Sequence, residues 1–287
     1  MTFKRRAMIA GAAFLLAAGP AMAQQPNSPA RIAEILASPD RSAADRTNDQ
    51  RRKPADMLAF IAIVPGSTAL DLSAGGGYTT ELLARSIGPT GAVYGQSRPP
   101  RDPSQPAPRP AAPEGNANPT AAPVAAPATP PAPPRPSPVA LADRSEKMKA
   151  GGVAAAPITA LSRPFEDPLP AELANGRFDL VTLMFNYHDL GFLGVDRAKM
   201  NAAAFKALKP GGFYVIADHS GRPGTGISES GTLHRIEEAF LRKEIEAAGF
   251  KLVAEGNFLR NPNDPRDKNT PDPPQPKDEF VLKFVKP

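Results

Sequence analysis

The sequence predicts an α/β protein, a mostly parallel sheet with helices on both faces, and three observations carry that prediction. The stretch 66–78, GSTALDLSAGGGY, runs from a short apolar strand (69–72) through a turn of small residues (73–77) into helical spacing over 79–86. Residues 178–185, FDLVTLMF, are almost continuously apolar, as a central parallel strand covered on both faces must be. A helical stretch over 197–208 then passes through Lys209-Pro210-Gly211-Gly212 into a second buried strand over 213–217. Strand, glycine turn and helix in this order let backbone approach a ligand closely and place helix N–H groups at its edge.

The first 23 residues read as a secretory signal peptide. Lys4, Arg5 and Arg6 precede an apolar run over 7–18 that is too short to span a bilayer, and Ala21-Met22-Ala23 forms a cleavage pattern before Gln24. Cleavage after Ala23 predicts a periplasmic or secreted protein with no stable membrane insertion; Arg5-Arg6 leaves both general and twin-arginine export open. Losing the leader lowers the formal charge from +5 to about +2. With no basic run interleaved with aromatics and no tryptophan, a nucleic-acid partner is not expected. The absence of cysteine excludes disulfides and thiolate metal sites.

The remaining elements follow in order. Residues 24–53 form an N-terminal segment: a helix over 29–37, with Ser28 as cap and Pro29 at its first position, and a charged stretch over 39–53 that reads as solvated surface or, alternatively, as a segment folded over the ligand mouth. The main domain, 54–287, opens with a helix over 54–62, and Pro65-Gly66 turns the chain into the first strand. The helix after the glycine turn stops near Gly88-Pro89-Thr90-Gly91, and a second strand, 92–96, ends in Gln96. Nucleotide-binding halves of this kind usually end that strand in an acid that accepts from ribose hydroxyls; a glutamine amide offers a neutral and weaker acceptor. Residues 98–138 contain 16 prolines and one large aliphatic, Val124, so they predict an extended, disordered insertion. Such a stretch acts as a spacer or as a docking segment for a protein partner. After it come a helix over 139–149, a third strand over 153–161, and a loop carrying Glu166 and Asp167. The fourth strand is followed by Asn186-Tyr187-His188-Asp189, and the fifth by Asp218-His219. A helix over 232–248 ends at Gly249, and strands over 250–258 and 279–286 flank a Pro/Asp-rich loop.

All three histidines, His188, His219 and His234, fall after these later strands. In an open parallel sheet the ligand crevice lies beyond the carboxyl ends of the strands, so all three are expected to face it.

The spacing Asp71, Ser73, Gly75, Gly77 resembles motif I of class I S-adenosyl-L-methionine (SAM) dependent methyltransferases, with serine standing where the first glycine usually lies. The helix, Leu208-Lys209-Pro210-Gly211-Gly212 turn and strand resemble the most recognisable connection of that family. The order of the glycine turn, N-Y-H-D, Asp218-His219 and His234-Arg235 resembles an exported, uncharacterised bacterial methyltransferase group. The resemblance implies a Rossmann-like seven-stranded, mostly parallel sheet closed by a C-terminal antiparallel hairpin. It also implies SAM as cofactor, held by Asp71, Ser73, Gly75, Gly77, Tyr78, Gln96, Asp167 (or Glu166) and Asn186, and a small-molecule methyl acceptor. His188 is then the expected general base near neutral pH, with Asp189 orienting it and Tyr187 and His219 beside it; Asp218 and His234 are further candidates. Two other readings stay open: a non-catalytic binder on the same scaffold, for which Gln96 argues, and a metal enzyme using His188, Asp189, Asp218, His219 and His234 as ligands.

Overall fold

The computed structural model describes residues 25–99, 135–269, 271 and 275–287. The leader expected over 1–23 and the greater part of the proline-rich insertion expected over 98–138 lie outside the described residues. Seven strands form one sheet: β1 (Thr68–Leu72), β2 (Ala92–Ser97), β3 (Ile158–Ser162), β4 (Phe178–Met184), β5 (Leu208–His219), β6 (Lys251–Gly256) and β7 (Glu279–Val285). Their spatial order is β3-β2-β1-β4-β5-β7-β6. Strands β1 to β5 pair in parallel, whereas β7 runs antiparallel between β5 and β6. The order reverses between β1 and β4, and the crevice beyond those two strand ends is where such sheets bind ligands.

Strand periodicity divides the core in two. Leu70 and Leu72 of β1 join Ile216, Leu282 and Phe284 on one face, under Leu241 and Ile245 of α8 (Glu238–Ala247). Ala69, Val215 and Val281 face the other way, under α3 (Pro54–Ile61), through Met57 and Ile61, and α4 (Tyr78–Ile87), through Leu83 and Ile87. Leu70 and Leu72 are completely buried, which stabilises the strand below the glycine turn by about 2 kcal/mol each.

The N-terminal helix α1 (Pro29–Ala37) begins as its residues dictate, with the Ser28 hydroxyl accepting from Arg31 N at 3.2 Å and Pro29 in the first turn. The charged stretch after it corrects the sequence reading. It folds as α2 (Ala43–Arg52), and Arg41 and Asp45 are buried rather than solvated. Arg41 donates to both oxygens of Asp49 at 2.7 and 2.8 Å. Asp45 receives Arg144 of α5 (Ser137–Ala150) at 2.7 and 2.9 Å.

Further boundaries differ. Strand β5 starts at Leu208, so Lys209-Pro210-Gly211-Gly212, expected as a turn before a strand over 213–217, lies within it. The third strand is shorter than expected, starting at Ile158. The helix expected from 232 starts only at Glu238, because Ile236 pairs back along the end of β5: its N–H donates to His219 O, and its carbonyl accepts from Gly221 N. His234, with φ +52°, therefore lies on a loop bent over the strand ends. The N-Y-H-D motif opens a short helix, α6 (Tyr187–Phe192), and α7 (Arg197–Ala207) follows as expected.

Candidate functional site

The glycine turn sits at the carboxyl end of β1. Ser73, Gly75 and Gly77 all have positive φ (58°, 53° and 79°), which is why small residues crowd this turn. Gly75 and Gly76 are exposed, and a Cβ on Gly76 would meet nothing within 4 Å, so the main chain here is open to close approach. Gly77 serves a different purpose: a Cβ there would come within 2.6 Å of Leu141 and 2.8 Å of Arg144. Arg144 clamps the turn, donating to Gly76 O at 2.5 Å while pairing with Asp45 and Glu81.

Asp71 and Gln96 support this turn from within the protein. The Asp71 carboxylate is buried and accepts from Thr80 Oγ1 at 2.6 Å and Thr182 Oγ1 at 2.8 Å, tying β1 to α4 and β4. Burial pushes its pKa up to about 6 against those two hydrogen bonds. Gln96 is fully buried; its Oε1 accepts from Ser73 N at 3.1 Å and its Nε2 donates to Arg163 O at 2.7 Å. The amide expected to meet a ribose thus shapes the turn instead. Asp167 is paired with Arg163, and Glu166 accepts from Asp196 N at 3.1 Å. Tyr78 donates its hydroxyl to Asp49 at 2.7 Å; burial and that carboxylate both push its pKa up.

The histidines do converge at the ends of β4 and β5. The His188 and His219 ring centroids are 5.3 Å apart, and those of His188 and His234 are 5.6 Å apart. His188 is buried, with Nδ1 at 2.6 Å from Asp218 Oδ1 and Nε2 at 3.1 Å from Asp189 Oδ1. Burial alone would lower its pKa, but Asp218 and Asp189 together raise it to about 9. Both ring nitrogens of His188 thus face carboxylates and neither is open toward an acceptor, which differs from the free base expected of it. Its main orienting partner is Asp218, whose Oδ2 also accepts from His188 N. Asp189 instead bridges His188 and His234, whose Nδ1 lies 2.9 Å from Asp189 Oδ1. His234 Nε2 makes no hydrogen bond to a described residue, and the side chain is 42 % exposed. His219 Nδ1 lies 2.9 Å from Glu279 Oε1 without forming a hydrogen bond. Burial lowers the His219 pKa to about 3 and raises that of Glu279 to about 7. Tyr187 is removed from the site: its hydroxyl is buried between Glu244 and Asn201, at 2.8 Å from each.

Asn186 joins the two halves. Its Oδ1 accepts from Ser73 Oγ at 2.5 Å, and its Nδ2 donates to Asp189 Oδ2 at 2.8 Å. Sequence reasoning passed over Arg52, whose guanidinium lies 3.8 Å from the Phe185 ring centroid and makes no ion pair with a described residue. Burial and the neighbouring Arg51 lower its pKa to about 10, so it stays charged at neutral pH. It lines a pocket with Tyr78, Thr79 and Phe185. Its only signal in the sequence was membership of a charged run.

No protein-family model and no curated protein matches the chain. Among solved structures, it is similar to a SAM-dependent methyltransferase from Aquifex aeolicus, with 15% identity and a TM-score of 0.51 over 91% of this chain and 100% of that one. It is also similar to a protein from Bacillus halodurans C-125, provisionally named a methyltransferase, with 14% identity and a TM-score of 0.50 over 81% of this chain and 98% of that one. At such identities the likeness is one of fold, and the fold is that of the SAM-dependent methyltransferases.

Proposed function

We propose that the protein transfers a methyl group from SAM to a small-molecule acceptor, outside the cytoplasm. The observation that carries this reading is the hydrogen-bonded line Ser73, Asn186, Asp189, which sets an open glycine backbone beside a carboxylate–histidine pair. The residues fit the cofactor in part. Gly75 and Gly76 leave main chain open to it, Asn186 borders it, and Arg52, which makes no ion pair with a described residue, is a cation suited to an amino-acid carboxylate. The ribose carboxylate usual at the end of β2 is replaced by the committed Gln96. When bound, SAM supplies an electrophilic methyl on a sulfonium.

The chain's own task is to align an acceptor with that methyl and to take the acceptor's proton. Asp189 holds His234 by Nδ1 and leaves Nε2 available, so this pair takes over the base role first expected of His188. His188, anchored by Asp218, fixes Asp189. The export signal expected at the N-terminus supports action in the periplasm or beyond, and among the described residues no helix is long and apolar enough to cross a membrane. The proline-rich insertion is proposed as a spacer or docking segment.

A second reading, a binder on this scaffold that does not turn over, is favoured by Gln96. Transfer of labelled methyl from SAM to a panel of small hydroxyl, amine and thiol acceptors separates the two. Methyl transfer is expected in the wild type and is expected to fall about 100-fold in His234→Ala with SAM affinity retained. SAM binding without transfer to any acceptor would favour the binder.

A further inference from the structure

We propose that His188, Asp189 and His234 form a binding site for one divalent first-row transition-metal ion. One ligand atom from each residue lies within 4.8 Å of the other two. Asp189 Oδ1 is central, 3.1 Å from His188 Nε2 and 2.9 Å from His234 Nδ1. Ligands bonded to one ion at about 2.1 Å sit about 3.0 Å (octahedral) to 3.4 Å (tetrahedral) apart, so these two edges are near the size of a coordination shell, with the ion replacing the protons now shared there.

The surroundings are those of a prepared site. A metal-binding imidazole normally gives its other ring nitrogen to a carboxylate, and a metal-binding carboxylate is itself hydrogen-bonded. Asp218 does the first for His188 at 2.6 Å, and Asn186 does the second for Asp189 at 2.8 Å. His188 is buried while His234 is 42 % exposed, so the ligand set is closed toward the protein and open toward solvent. Three protein ligands with open positions is the pattern of ions that also take a substrate or water. Two imidazoles and one carboxylate select zinc, iron, cobalt or manganese over calcium and magnesium, which prefer oxygen alone. The class of small ligand an ion here would draw to the glycine turn is an oxygen donor, a hydroxyl or carboxylate, whose acidity the ion would raise. His219 and Asp218, though adjacent, are not part of the ligand set: Asp218 is spent on His188 and two backbone N–H groups.

An ion on His234 Nδ1 leaves the proton on Nε2, so the metal-loaded site and the general-base form of this pair are alternative states; the test of the metal site contains no SAM. The full chain, prepared without a polyhistidine tag and stripped with a chelator, is titrated with Co²⁺ while its d–d absorption is recorded, and then with competing Zn²⁺. The expected result is one Co²⁺ per chain, displaced by Zn²⁺ and indifferent to excess Mg²⁺. His234→Ala and Asp189→Ala should each weaken binding at least about tenfold, and Asp218→Asn about ten- to hundredfold. Melting curves of the metal-free variants show which are folded; His234, on the exposed side, is the variant expected to fold normally. No stoichiometric Co²⁺ uptake by the wild type, or unchanged affinity in folded His234→Ala, would overturn the proposal. Either result leaves SAM binding to be judged by its own titration.

Discussion

The glycine turn and the histidine rim lie side by side across Asn186, yet they are built on opposite principles. At the turn the exposed surface is backbone, left bare at Gly75 and Gly76, and the side chains around it hold its shape: Asp71 and Gln96 from within, Arg144 from outside. The rim is instead a set of carboxylate and imidazole side chains that fix one another. A backbone site depends on conformation and free space, whereas a side-chain site depends on paired charge in a low-dielectric setting. Substitutions should therefore separate the two regions by the kind of damage they do.

The largest effect belongs to the rim. Asp218 is fully buried and accepts from His188 Nδ1 and from the N–H groups of His188 and His219. Asp218→Asn should cost about 4 kcal/mol in urea unfolding, because it breaks a buried charged network; a cost below about 1 kcal/mol would mean that the rim is not held by charge. Arg144→Ala comes next, at about 3 kcal/mol, since it leaves Asp45 buried without its partner. It should also loosen the turn, seen as faster amide exchange at Gly76 and Gly77.

Asp71 gives the turn a pH dependence. Its pKa is raised from 3.8 to about 6 in the folded protein, so its contribution to stability is fully present below 3.8 and is lost as pH rises through 6. Asp71→Asn lacks that loss. The stability of the variant relative to wild type should grow by about 2–3 kcal/mol between pH 4 and pH 7. A pH-independent difference would show that the carboxylate is not desolvated. Gly77→Ala should cost about 2 kcal/mol, from positive φ and from contact with Leu141 and Arg144. Gly76→Val, next to it but in open space, should change stability by less than about 0.5 kcal/mol.

The same contrast explains what could be read from the sequence. The glycine turn was legible because its residues are consecutive and their small size is the signal. The buried strands β4 and β5 were legible from continuous apolar runs, and α1 from its Ser28-Pro29 start. Helix α2 was not, because it lacks an apolar stripe and its stabilising partner, Arg144, lies 99 residues from Asp45. The convergence of the histidines followed from topology, but their roles did not. Whether His188 is a free base depends on Asp218, 30 residues away, and on which side of the ring each carboxylate lies. Tyr187 looked catalytic by its place in N-Y-H-D, yet the first turn of α6 aims it at α7 and α8. Gln96 stood at the expected strand end, but only the register of β2 beside β1 shows its amide consumed by Ser73.

The central claim is that bare backbone at Gly75 and Gly76 receives SAM beside the histidine rim. Calorimetric titration of SAM and S-adenosylhomocysteine into the wild type and into Gly76→Val tests it most directly, with unfolding curves to verify that the variant is folded. The account predicts micromolar binding of both ligands to the wild type and a loss of at least about tenfold in the variant at unchanged stability. Absence of binding to the wild type, or equal affinity in Gly76→Val, would contradict it.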